Sequence, residues 1–173
     1  MAAKKKPAAR KAPVTKKAVK PIPKGYGTLT PYLAIDGAAA AIDYYAKVFG
    51  ARCRLRMDGP GGKIGHAELV IGDSVFMLAD EYPPMQFLGP KTRGGTTVSM
   101  HLYVKDCDAV IAKAVAAGAK LERPVQDQFY GDRNGTIMDP FGHSWSIATH
   151  KEDLSPAEMR RRGAEAMKKP PAS

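Results

Sequence analysis

Seven side chains in this sequence have the chemistry to hold a small molecule: Tyr32, His66, Glu68, His101, Tyr103, Tyr130 and Arg133. His66 and Glu68 stand two residues apart, and so do His101 and Tyr103. Two residues is the interval at which a β-strand returns side chains to one face. Two imidazoles and a carboxylate converging from neighbouring strands, His66, Glu68 and His101, would suffice as three ligands for a divalent ion. The plainer alternative is that each imidazole hydrogen-bonds within a cleft or touches a bound molecule. The tyrosines then supply aromatic walls, while Glu68 and Arg133 supply charge selectivity. Arg133 has two readings of its own, a bidentate clamp on a carboxylate or phosphate and a local ion pair with Asp132 or another acid. Tyr130-Gly131-Asp132-Arg133 precedes Asn134-Gly135, a type I′ hairpin dipeptide, which places Asp132 and Arg133 at a tight turn near the cleft mouth.

Several other chemistries lack their residues. Cys53 and Cys107 are too few for a disulfide scaffold or a structural zinc site, and neither belongs to a C-x-x-C pair. Cys107 stands between Asp106 and Asp108 near the start of a helix, where the acids oppose a thiolate, and reads as non-catalytic. Alternation puts Cys53 on the face opposite Arg52 and Arg54, as a buried thiol. No nucleophile elbow, phosphate loop or dinucleotide fingerprint is present. Gly59-Pro60-Gly61-Gly62 lacks the following Lys-Ser/Thr and reads as a flexible loop between strands. His143 caps the turn before the last strand, and His150 is exposed near that strand's end.

The elements that must position these groups come twice. At a constant shift of 69, Thr30 falls on Ser99, Tyr32 on His101, Leu33 on Leu102 and Ile35 on Val104; later, Phe76 falls on Trp145, Leu78 on Ile147 and Ala79 on Ala148. Each half opens with an alternating strand (30–35; 99–104), continues as a helix ending at glycine (about 37–50; 106–118) and closes with three extended runs. These runs are expected near 52–57, 66–71 and 74–79, and near 120–126, 134–138 and 144–148. Gly72-Asp73 is a hairpin position in the first half, and Asp139-Pro140-Phe141-Gly142 is the corresponding turn in the second. The fold class is therefore α+β, with two βαβββ modules in tandem, each a curved mixed sheet enclosing a cleft.

One set of alternating positions is apolar: Leu33, Ile35, Leu69, Ile71, Phe76, Leu78, Met100, Leu102, Val104, Trp145 and Ile147. It is expected to pack on Ile42, Tyr45, Val48 and Phe49 in one half and on Val110, Ile111 and Val115 in the other. The opposite faces, with Thr30, Tyr32, His66, Glu68, Met77, Ser99, His101, Tyr103, Ser144 and Ser146, are polar and aromatic; they line a cleft or form an ordinary solvent face. Residues 82–97 read as the linker between module one (28–81) and module two (98–149), and its Met85, Phe87 and Leu88 can reach the cleft. Ser155-Pro156-Ala157-Glu158 is a capping box that predicts a helix to about Met167 in a C-terminal segment, 154–173.

With 173 residues and 44% apolar composition, the chain is long enough for one domain or two small modules sharing a core. No apolar run approaches the roughly 18 residues needed to cross a bilayer, and the first 24 residues lack the apolar stretch of a secretory signal. A cytoplasmic protein without membrane partners is expected. The net charge of +10 is concentrated in residues 1–24, with nine Lys and Arg and no acid; residues 25–149 hold twelve basic and thirteen acidic residues. Residues 1–24 read as a disordered basic arm. It can lend salt-dependent, sequence-blind affinity for nucleic acid, which would make the domain a tethered scaffold, or be a solvated tail without aromatic residues for base stacking.

The doubled module, the helix end Ile42-Asp43-Tyr44-Tyr45-Ala46-Lys47-Val48-Phe49-Gly50-Ala51 and the turn Asp139-Pro140-Phe141-Gly142-His143 resemble the vicinal oxygen chelate superfamily. This group holds glyoxalase I, extradiol dioxygenases and the bleomycin- and fosfomycin-resistance proteins. His66-Ala67-Glu68-Leu69, Gly131-Asp132-Arg133 and Trp145-Ser146-Ile147-Ala148-Thr149-His150 look most like its PhnB-like branch. The resemblance spans residues 28 to about 153 and implies a homodimer. It also implies that Thr30, Met77, Ser99 and Ser146 occupy the places where metal-dependent relatives carry His, Gln or Glu. Three hydroxyls and a thioether cannot replace imidazole and carboxylate ligands at about 2.0–2.2 Å. The expectation is therefore a metal-free cleft that sequesters a small organic molecule. The rival is a lyase or isomerase that uses a divalent ion on His66, Glu68 and His101 to enolise its substrate.

Overall fold

The computed structural model describes residues 19–168. Most of the basic arm therefore lies outside the described residues, and with it the test of nucleic-acid binding. Module one comprises β1 (Tyr32–Ile35), α1 (Ala38–Phe49), β2 (Arg52–Asp58), β3 (Ile64–Ile71) and β4 (Ser74–Asp80). A linker with a 3-10 turn and the short helix α2 (Pro90–Arg93) leads to module two: β5 (Ser99–Tyr103), α3 (Cys107–Ala116), β6 (Lys120–Asp127), β7 (Asp132–Met138) and β8 (Ser144–His150). The helix α4 (Pro156–Ala166) follows, with Ser155 accepting the Glu158 N–H as the capping box requires. No helix among the described residues is long and apolar enough to cross a membrane.

Each module forms a four-stranded mixed sheet, in the orders β1-β4-β3-β2 and β5-β8-β7-β6. The first strand of each runs parallel to the last, and the remaining pairs are antiparallel. This order needs a helical crossover after the first strand, which α1 and α3 provide. Glycine starts and ends α1: Gly37 and Gly50 have φ of 89° and 68°, a region in which other residues are strained. Lacking a side-chain cap, the α1 N-terminus donates its Gly37 and Ala38 N–H groups to Asp80 at 3.1 Å each. In module two Thr149, 69 residues on, accepts the Cys107 N–H at 2.9 Å. The repeat therefore extends to the way the end of the last strand caps the helix.

The apolar faces of both sheets contribute to one core. Tyr45, Leu69, Leu78, Ile137 and Ile147 are fully buried in it. The Trp145 ring lies 4.6 Å from Phe49, 5.4 Å from Tyr45 and 6.1 Å from Phe76, so side chains of module one pack directly on β8. Asp139 joins the modules. Buried in the turn before β8, it accepts hydrogen bonds from Tyr45 Oη (2.7 Å), Trp145 Nε1 (2.9 Å) and the N–H groups of Phe141 and His143 (2.9 Å each). Burial, and then the Asp139 charge, push the Tyr45 hydroxyl well above its ordinary pKa, so it remains a donor.

Three expectations need correction. Asn134-Gly135 lies inside β7 and not at a turn; the chain reverses at Gln128–Gly131, where the Gly131 N–H bonds the Gln128 carbonyl. Gly135 is there because α3 crosses it closely, and a Cβ would stand 2.8 Å from Ile111 Cδ1. Cys53 is exposed, since β2 is an outer strand with little covering either face. Val115 is exposed as well, on the outer side of α3.

Candidate functional site

Because the apolar faces look into a shared core, the polar faces look outward to different sides of one chain. Strand register places their residues in rows. In module one Tyr32 pairs with Met77 and Met77 with Glu68; in module two His101 pairs with Ser146 and Ser146 with Thr136. Tyr32 and Glu68 of the first row share a face with His66, and His101 of the second shares one with Tyr103, so the side chains singled out in the sequence are divided between two sites.

Module one's row is closed by its own chain. Tyr32 Oη and His66 Nδ1 are 3.0 Å apart, and His66 Nε2 lies 3.4 Å from Glu68. Glu68 is buried and also takes Arg54 Nε at 2.6 Å and the Tyr26 hydroxyl. The Arg54 guanidinium lies over the Tyr26 ring, 4.0 Å from its centroid, and donates to the Gly25 carbonyl at 3.1 Å. The segment before β1 is thus pinned onto the sheet. The Tyr26 hydrogen bond, followed by those from Arg54 and His66, holds the Glu68 carboxyl below its ordinary pKa against the opposing effect of burial. On the other flank the linker folds back, with the Phe87 ring 5.1 Å from Tyr32. A cavity of about 590 Å³ lies between Tyr32, Pro60, Ile64, Met85 and Phe87.

In module two the cavity lies at a sheet edge. A groove of about 790 Å³ runs along the free edge of β5, with Ser99, His101 and Tyr103 on one side and Leu29, Pro31 and Val75 on the other. The His101 and Tyr103 rings meet edge to face at 4.8 Å. Tyr103 Oη donates to buried Asp132 at 2.8 Å, and His150 Nδ1 lies 2.7 Å from the same carboxylate. The hydrogen bond to Asp132, and then that to Asp153, raise the His150 pKa above its ordinary value. Tyr130 accepts a 2.6 Å bond from Asn134 Nδ2 on this outward face.

Arg133 lies elsewhere. Within β7 it alternates with the outward residues Asp132 and Asn134, so its side chain is on the helix side, bound to Asp108 at 2.7 and 2.8 Å and to Asp127 at 3.1 Å. The local ion pair is the arrangement found, with Asp108 and Asp127 as partners and not Asp132. The sequence reading gave no role to Tyr26, Arg54 or Arg123, and cast Asp132 only as a partner of Arg133. Arg54 and Arg123 are separated by the repeat's own offset of 69, a signal that could have found them. Nothing local marks Tyr26 for Glu68, 42 residues away.

The metal-ligand question divides the same way. His101 belongs to a different sheet from His66 and Glu68, and among the described residues no three His, Cys, Asp or Glu side chains form a group able to hold an ion. Of the four family positions, Met77 and Ser146 sit mid-row in separate sheets, and the Ser99 hydroxyl accepts from Ser144 at 3.2 Å. A thioether and hydroxyls divided in this way do not fit a divalent ion.

Comparisons with known proteins converge. The family model described as Glyoxalase/Bleomycin resistance protein/Dioxygenase superfamily matches residues 28–147. An uncharacterised Mycobacterium bovis protein, Mb0911c, is 42% identical over 135 residues, covering 76% of this chain and 89% of that protein. TioX from Micromonospora sp. ML1 superposes with a TM-score of 0.57 at 31% identity, over 72% of this chain and 99% of that one. A PhnB protein from Bacillus cereus gives 0.58 at 19% identity, over 71% and 99%, a likeness of fold.

Proposed function

From the premise that the chain belongs to the glyoxalase/bleomycin resistance protein/dioxygenase superfamily, we propose that it binds and sequesters a small organic molecule in the cytoplasm without a resident metal. The donor set carries this reading. The family's ligand places hold Thr30, Met77, Ser99 and Ser146, and the one carboxylate in module one's row, Glu68, is already bound by Arg54 and Tyr26. What remains on both faces is aromatic and polar: Tyr32 and His66 in module one, His101, Tyr103 and Tyr130 in module two. Such surfaces hold a guest by area and hydrogen bonding.

A homodimer completes the site in this proposal. β1 and β5 are edge strands, and beside them Leu29, Tyr32, Val98 and Tyr103 are exposed. Unpaired edges flanked by exposed apolar side chains favour association. A second copy laid over these edges would set the outward face of one module against that of the other and close the grooves around a guest. It is also the arrangement in which His101 of one copy could approach His66 and Glu68 of another, which keeps the metal-dependent lyase or isomerase testable. Native mass spectrometry of untagged full-length protein separates the readings. A dimer that takes up organic molecules and carries no stoichiometric divalent ion is expected; a firmly held ion, lost on His101→Ala, would overturn the proposal in favour of the enzyme.

A further inference from the structure

Each module sends one arginine from its second strand across the outward face, and the two meet different partners. Arg54 ends on the Glu68 carboxylate, with Tyr26 stacked against it. Arg123 Nε ends on the Thr136 hydroxyl at 3.0 Å, and no carboxylate among the described residues lies within ion-pair distance of it. A guanidinium carries five N–H donors and a charge that persists at any working pH. At Arg123 one donor is used and the charge is unmatched.

Its neighbours are donors as well. Register sets Arg123, Thr136, Ser146 and His101 in one row across β6, β7, β8 and β5. Thr136 and Ser146 are buried and form the floor. Strands lie about 4.8 Å apart, so His101 stands roughly 10 Å from Thr136 at the backbone, a span that two long side chains reaching inward can narrow around a small group. The acid on this face, Asp132, is four residues from Thr136, roughly 13 Å along the strand, and is taken up by Tyr103 and His150. The row therefore offers an exposed, permanently charged guanidinium, two hydroxyls on a buried floor and an imidazole, beside the ring pair of His101 and Tyr103.

We infer that module two's outward face is a subsite for the oxyanion of an organic ligand, with Arg123 as its charged contact and the His101–Tyr103 pair against the ligand's apolar body. This deepens the small-molecule reading above and rests on it. Two parallel N–H···O bonds from the fork are the strong, geometrically selective way to bind a carboxylate.

The test uses full-length protein and two probes of one shape, benzoate and uncharged benzamide, followed by ¹H–¹⁵N NMR. Benzoate is expected to shift the Arg123 Nε–H signal and the amides of His101, Thr136 and Ser146, and to bind at least tenfold more tightly than benzamide. Arg123→Gln should abolish that preference and Arg123→Lys should retain part of it. Arg160→Gln, on α4, should retain all of it. Melting curves of each variant establish folding. Equal affinity for the two probes on this face, or a benzoate preference that survives R123Q, overturns the oxyanion assignment and leaves small-molecule binding standing. Absence of any response on either outward face to both probes overturns both.

Discussion

Module one and module two follow the same chain path, yet their outward faces are closed by different contacts. In module one, Tyr26 and Arg54 close over Glu68 from one side while Phe87 of the linker leans on Tyr32 from the other. The offset of 69 that maps the modules onto each other takes Tyr26 to Gly95, which has no side chain to offer, and by strand register the place of Glu68 falls to Thr136, whose hydroxyl stands opposite the arginine. Duplication thus conserves what the fold requires, namely sheet order, helix capping and the shared core. It leaves free what the outward faces carry, because these positions lie outside the shared apolar core.

The largest test asks whether the two modules are one cooperative unit. Asp139→Ala removes a buried acceptor of four hydrogen bonds, among them Tyr45 Oη of module one. It should cost about 3–5 kcal/mol in urea unfolding while retaining a single transition. Two separated transitions, with module one undisturbed, would mean that the halves fold independently and the comparison must be drawn between domains.

A smaller effect compares equivalent strand positions. Gly135 pairs with Ile147 in β7 as Ala67 pairs with Leu78 in β3. Gly135→Ala would bring a Cβ to 2.8 Å from Ile111 Cδ1 and 3.1 Å from the Arg123 carbonyl, an overpacking cost of about 1–3 kcal/mol. Ala67→Gly relieves no contact and should cost about 1 kcal/mol through chain entropy and lost packing. A stabilising G135A would show that α3 sits further from its sheet than described.

The smallest effects have opposite pH dependence in the two modules. The Glu68 carboxyl is held below 4.5, so its contribution to stability is complete above that pH and is lost as pH falls through the folded value. The His150 imidazole is held above 6.5, so its contribution is complete below that pH and is lost as pH rises through the folded value. In urea midpoints measured from about pH 3 to 9, Glu68→Gln should flatten the acid limb alone and His150→Gln the limb above neutrality alone. Both limbs flattened by one substitution would break the separation of the two faces.

Much of the fold was legible because apolar alternation and helical periodicity are local signals. The strands at Ser74–Asp80 and Ser144–His150 and the helix at Pro156–Ala166 lie within two or three residues of expectation. The candidate site was legible by residue type more than by arrangement. His66 and Glu68 share a face, as their two-residue interval indicated, while Tyr32 reaches His66 from a different strand, a meeting that no spacing marked. Arg133 turned to the helix side because Asn134-Gly135 served helix packing and not a turn, which moved the reversal to Gln128–Gly131.

By itself the sequence determined the doubled βαβββ order and the face of each strand that is buried, because burying one face of a strand imposes a period of two whatever lies beyond it. Only the tertiary structure decided that the apolar faces share one core and the polar faces part. It alone joined Tyr26 to Glu68 and Tyr45 to Asp139 and left Arg123 without an acid. These outcomes depend on pairings between residues as many as 94 positions apart, and no local pattern encodes which distant partner will arrive.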